Sequence, residues 1–377
     1  MKPTNDIKFV IPVCLVLFMV GVSILGMYFG IAVQRQSYPG CDFSALNSCA
    51  NKTVLFIGDG MGEAHITTTA AYYDKQMHMR SFAISGQVTT YSNSIFTPTD
   101  SAAAASAMAT GQKYDNKEVS RHDGVDIQTI TEYAKSLGYG VGIVTTDSLT
   151  GATPAAFSSH ANKRGDSADI VAGQIESGID LLLGAGKDFY LGYQTQFEAK
   201  NYKFCTSYAD LSGDNGKIIA SFASIVATNG TDSEPTLEML TTFAINYFEN
   251  NFPAGYFLMI EGAHIDKNSH NKNIQGMMSY LNSFDESIRI VDEKIASQNG
   301  TALIVTADHE TGGLAYNGEE KDSINNSLYK QNGHTAANVP YFVKLSPKEA
   351  IGTIQSDVFP NVIDNTDIFR LCKAIIT

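Results

Sequence analysis

Four continuous apolar runs punctuate the chain: residues 53–58 (TVLFIG), 140–146 (GVGIVTT), 256–261 (YFLMIE) and 301–307 (TALIVTA). They are rich in β-branched residues, do not alternate with polar ones and are bounded by Gly or Asp, the pattern of strands buried on both faces. Between them, apolar positions recur at helical spacing over residues 126–137, 167–177, 238–249 and 275–296. Strands that alternate with helices predict the α/β class: a three-layer α/β/α sandwich around a central, mostly parallel sheet, its crossover helices covering both faces. Residues 188–234 have weak periodicity and many polar side chains, and are expected as an excursion from the sheet within the same domain.

A fifth apolar stretch differs in kind. Residues 9–33 form a run of 25 without a charged side chain, flanked by Lys2 and Lys8 on one side and Arg35 on the other. That length spans a bilayer, and it exceeds the apolar core of a cleaved signal peptide, which is about 7–15 residues. The expected organisation is therefore a cytoplasmic tail at 1–8, a transmembrane signal anchor at 9–33, a linker at 34–52 and a catalytic domain at 53–377. The basic N-terminal flank puts the tail on the cytoplasmic side by the positive-inside rule, and the domain on the extracytoplasmic side, at the cell surface or in the periplasm.

A composition that is 44% apolar and 17% charged excludes a disordered chain, and a net charge of −13 excludes a nucleic-acid binder with a basic face. Five Cys are too few for a disulfide scaffold of this length. Cys14 lies in the apolar run, and Cys41, Cys49, Cys205 and Cys372 remain, either as reduced thiols or as disulfides with Cys41–Cys49 the nearest pair.

In open parallel sheets, ligands bind beyond the carboxyl ends of the strands. There this sequence places Asp59 in GDGMG, Glu261 in EGAHIDKNSH together with Asp266, Lys267 and His270, Asp308 and His309 in ADH, and farther on His334 in NGHT. Hard carboxylates and imidazoles at several strand ends are the donor set of a divalent-metal cluster. Singly each has an ordinary alternative, such as a turn aspartate or an exposed loop histidine; the shared placement carries the reading. Residues 97–111 (TPTDSAAAASAMATG) predict a helix that starts at Ser101 with Asp100 as its cap, which puts a serine hydroxyl at the positive end of a helix dipole.

The motifs DGMG, TDSAA followed by ATG-x-K, ATPAAF, EGA-x-ID-K-x-x-H, TADH and GHT occur in this order from about residue 51 to 345, and in them the chain resembles the alkaline phosphatase family. The resemblance implies a hydrolase of small-molecule phosphate monoesters that works through a phosphoserine and releases inorganic phosphate. It implies Ser101 as the catalytic nucleophile, and two zinc ions, the first held by Asp266, His270 and His334, the second by Asp59, Asp308 and His309. It also implies one magnesium held by Asp59, Thr153 and Glu261, with Arg164 and Lys267 on the substrate phosphate. Without the motif, Arg164 reads as a surface ion pair with Asp166 or Asp169.

Two features depart from the family. Gly151 stands two residues before Thr153, where better-known members carry Asp or His near the magnesium, so solvent or a more distant group is expected to fill the gap. The resemblance also implies a homodimer, although the stretch from His309 to His334 is short for the crown-like subdomain other members build there. A sulfatase would need a C/S-x-P-x-R context, which residues 97–102 lack.

Overall fold

Among the described residues, ten strands form the main sheet: β1 (Lys52–Ile57), β2 (Ile84–Thr89), β3 (Gly140–Ser148), β4 (Leu181–Ala185), β5 (Tyr202–Cys205), β6 (Lys217–Phe222), β7 (Tyr256–Glu261), β8 (Thr301–Thr306), β9 (Val339–Ser346) and β10 (Val362–Asp364). Their spatial order is β10-β2-β9-β8-β1-β7-β3-β4-β6-β5. The computed structural model describes residues 40–212, 216–295, 297–316, 318, 321–347 and 358–377. Only β9 runs against its neighbours; every other pair in the sheet is parallel. The three central strands β8, β1 and β7 are mostly apolar and buried along almost their whole length, as strands covered on both faces must be.

The helices fall into two packed groups. Glu63–Tyr73, Leu237–Asn251 and His264–His270 pack with the long helix Ile274–Ile295, while Ser101–Thr110, Ile130–Ser136 and Ala152–Ser158 pack with one another and with Asn365–Ile376. The expected α/β fold around a large, mostly parallel central sheet is thus what forms, with one compact unit running from Cys41 to Thr377.

Several boundaries differ from the sequence expectation. The helix expected at 126–137 begins at Ile130, because Thr129 and Glu132 make a capping box there, and residues 121–126 are spent on a small hairpin turning at Asp123 and Gly124. The segment 188–234 is no mere excursion: it supplies β5 and β6, which extend one edge of the sheet. The linker expected through residue 52 stops short, since Phe43, Leu46, Cys49 and Ala50 are buried in the core and the Ser48 N–H donates to Ala374 O at 3.1 Å.

Cys41, Cys205 and Cys372 are free thiols, so the Cys41–Cys49 pairing does not form. Cys41 Sγ instead donates to Asp367 Oδ2 at 3.3 Å, and burial together with the Asp367 carboxylate pushes that thiol up to about 12. The anchor expected at 9–33 lies outside the described residues; among those described, no helix is long and apolar enough to cross a membrane.

Candidate metal and phosphate site

Parallel pairing sets the chemistry level. Ile57 of β1 is opposite Glu261 of β7 and Thr306 of β8, so these three strands end together, while β3, whose Thr145 is opposite the same Glu261, runs three residues farther. The residues just beyond those ends converge on one place. After β1 the backbone turns at Gly60, whose φ of +72° and whose missing Cβ, which would stand 2.9 Å from the Asp266 Cα, let Asp59 and the Asp266 segment meet.

Two trios of ligand atoms result. Asp59, Asp308 and His309 form one, and Asp266, His309 and His334 the other, each with its donor atoms within 4.8 Å of one another. His270 joins the second group: its Nε2 is 3.3 Å from Asp266 Oδ1 and 3.1 Å from His334 Nε2. Two ring nitrogens that close are aimed at a common point. The His334 Nδ1 is 2.7 Å from Thr99 O, and the His270 Nδ1 lies against Asn332 O. A carbonyl accepts only, so each Nδ1 carries the proton and each Nε2 presents a lone pair.

His309 sits between the trios, its ring stacked 3.5 Å from that of His334, with Nε2 3.2 Å from Asp308 Oδ2 and 3.5 Å from Asp59 Oδ1. Ser101 Oγ lies 3.2 Å from the same nitrogen. Ser101 opens a helix whose ten residues are all buried, and Asp100 caps it by accepting from the Ala103 N–H at 3.0 Å. The hydroxyl is thereby fixed at the helix N-terminus, where an anion is favoured.

The Glu261 carboxylate accepts from the Thr145 hydroxyl, and Thr153, the second residue of Ala152–Ser158, is also buried at this end of the sheet. Burial, followed by repulsion from Asp308, Asp266 and Glu261, holds Asp59 well above the usual carboxylate range; burial raises Asp308, and burial with Asp147 pushes Glu261 up to about 8. Burial likewise keeps His309 neutral, far below the ordinary imidazole value. Asp59 Oδ1, Asp308 Oδ2 and Thr153 Oγ1 are buried without a hydrogen-bond partner. Orphaned oxygens and crowded carboxylates are costly unless cations complete them, so this donor set fits bound divalent metal.

The structure thus brings together Asp59, Ser101, Asp266, His270, Asp308, His309 and His334, and puts Glu261 and Thr153 at the ends of the adjoining strand and helix. Arg164 pairs with Asp100, Nη1 to Oδ2 at 3.1 Å, and not with Asp166 or Asp169. Lys267 is held by the Asp147 carboxylate. Two contributors escaped the sequence reading. Thr311 Oγ1 donates to Asp266 Oδ1 and lies 3.2 Å from His309 Nδ1, joining the trios from behind. Asp147 carried no motif of its own; only its position four residues before Gly151 marks it. The remaining histidines are engaged elsewhere, His65 with Ser269, His78 with Asp292, His122 with Glu118, His160 with Glu132, and His264 stacked on Tyr280.

The family model described as alkaline phosphatase matches residues 50–209 and 223–369, and the chain belongs to the alkaline phosphatase family. It is 32% identical over 287 residues to alkaline phosphatase 3 of Bacillus subtilis (strain 168), covering 70% of this chain and 61% of that protein. It is 28% identical over 326 residues to alkaline phosphatase 4 of the same organism, covering 80% and 70%. This chain therefore spans somewhat less than two thirds of the first relative. Among solved structures, alkaline phosphatase from the Antarctic bacterium TAB5 superposes with a TM-score of 0.73 at 26% identity, over 88% of this chain and 98% of that one. Two variants of that TAB5 enzyme, each 25% identical to this chain, are described with Mg bound in the M3 site.

Proposed function

We propose that this chain hydrolyses phosphate monoesters through a phosphoserine at Ser101, with one zinc ion held by Asp266, His270 and His334, a second by Asp59, Asp308 and His309, and one magnesium held by Asp59, Thr153 and Glu261. The observation that carries the reading is the Ser101 hydroxyl, 3.2 Å from His309 Nε2 at a helix N-terminus and beside buried carboxylates whose outer oxygens lack partners. When bound, the zinc ions supply the Lewis acidity that favours an alkoxide at Ser101 and stabilises the departing oxygen, and the magnesium adds positive charge beside them.

The chain's own groups do the rest. Ser101 Oγ attacks phosphorus as the ester P–O bond breaks, and the alcohol leaves with the phosphoryl group now on Ser101. The buried helix and its Asp100 cap hold Oγ in one place for this in-line attack. Arg164, restrained by Asp100, presents a planar fork that matches two phosphoryl oxygens, and Lys267 adds a positive charge. Water then attacks the phosphoserine, releases inorganic phosphate and restores the serine. Ser101→Ala, assayed for the phosphoenzyme and for turnover, tests the reading.

The 25-residue uncharged run supports an anchored enzyme whose catalytic unit faces away from the cytoplasm. Magnesium in the M3 site of the TAB5 variants supports the third metal assignment.

A further inference from the structure

Gly151 leaves a gap that the structure fills from a different direction. It precedes the helix carrying Thr153 with φ −55° and ψ 157°, a conformation open to any L-residue, so the glycine is not there for its backbone. The obstacle is the surroundings: a Cβ at 151 would stand 2.6 Å from Asp147 Oδ2, 2.9 Å from Asp147 Cγ and 2.9 Å from Ser148 O. The carboxylate of Asp147 thus occupies the space that a side chain at 151 would enter.

That carboxylate is tightly held. β3 shifts register between Val144 and Ser148, which re-aims the end of the strand. The Asp147 N–H donates to Thr145 Oγ1 at 2.8 Å, and the Thr145 hydroxyl donates in turn to Glu261. Asp147 Oδ1 accepts from the Ser148 N–H at 2.7 Å and pairs with Lys267 Nζ. Its other oxygen, Oδ2, faces Gly151 and the start of the Thr153 helix.

We infer that Asp147 is a positioning residue of the third metal site, substituting for the acidic or imidazole side chain absent at 151. Its Oδ2 accepts hydrogen bonds from magnesium's water ligands, while its Oδ1 fixes Lys267 for the substrate phosphate. Magnesium usually keeps several waters, and acceptors that hold such waters set its affinity. The inference rests on the reading of Thr153 and Glu261 as magnesium ligands. Of the two expected occupants of the gap, solvent or a more distant group, it takes the second.

Calorimetric titration of zinc-loaded, full-length enzyme with magnesium tests it. Asp147→Ala and the shape-preserving Asp147→Asn should each weaken magnesium binding about 10–100-fold. Both should also raise KM by releasing Lys267, with kcat recovering at high magnesium. Isotherms of Asp147→Ala and Asp147→Asn that superimpose on the wild type would overturn the inference, as would lost thermal stability with unchanged affinity. Glu261→Gln separates the underlying reading: if it binds magnesium as the wild type does, the third-site assignment fails, and the role of Asp147 with it.

Discussion

Arg164 Nη1 lies 3.1 Å from Oδ2 of Asp100, whose Oδ1 accepts from the Ala103 N–H and caps the helix that begins with Ser101. One carboxylate thus positions the cation proposed to grip the phosphate and anchors the helix of the proposed nucleophile. Arg164→Ala should weaken inorganic phosphate binding about 10–100-fold, the worth of charge-assisted hydrogen bonds, while leaving zinc content intact. Competition by phosphate at equilibrium checks this, and an unchanged affinity would remove Arg164 from the phosphate site.

Thr311 ties Asp266 to His309 by one hydroxyl. Thr311→Val keeps the shape and removes that tie, so zinc affinity or activity should fall about 10–100-fold, the usual effect of deleting a partner behind metal ligands. Thr311→Ser should retain most of both. Competitive chelation with a metal indicator would show it; equal zinc affinity in the valine and wild-type proteins would leave Thr311 as packing alone.

The strands that place the site were legible because β8, β1 and β7 are buried on both faces, so their apolar runs need no alternation to declare them. β2 and β9 were not. β2 reads ISGQVT, with Gly86 and Gln87 breaking the run, and β9 carries Pro340 near its start and joins antiparallel between partners distant in sequence. Likewise β6 (KIIASF) begins at Lys217, has Ser221 in its run and pairs between β4 and β5. At the site, residues with metal-ligand chemistry at strand ends could be named in advance. Thr311 and Asp147 act through contacts that only the folded chain creates, and a threonine or aspartate in a loop has too many ordinary uses to stand out.

Metal removal should expose the charge cluster. Glu261 has an ordinary value of 4.5 and is pushed up to about 8 in the fold, and Asp59 and Asp308 shift in the same direction. The folded, metal-free chain holds protons that the unfolded chain has released, so the stability these groups contribute is complete at low pH and is lost as pH rises from about 4.5 to about 8. His309 runs the other way: held neutral, it contributes fully above 6.5 and loses that contribution as pH falls. Because metal binding displaces protons from the carboxylates, stabilisation by zinc should grow with pH. Melting temperatures of chelator-treated and zinc-loaded protein should diverge between about pH 5 and about pH 8. A constant gap would contradict this.

The uncharged run at 9–33 should keep full-length protein with membranes after alkaline washing, and a chain starting near residue 36 should remain in the supernatant with full activity. N-terminal sequencing that begins after the run would make it a cleaved signal instead.

The most direct test is the fate of Ser101. Full-length, zinc-loaded enzyme quenched in acid during turnover of a phosphate monoester should carry one phosphoryl group, mapped by peptide mass to Ser101. Ser101→Ala, with the same zinc content and melting temperature, should carry none and turn over slower by on the order of 10³-fold or more. A folded, zinc-replete Ser101→Ala protein that still becomes phosphorylated, or that hydrolyses the ester at the wild-type rate, would contradict the account.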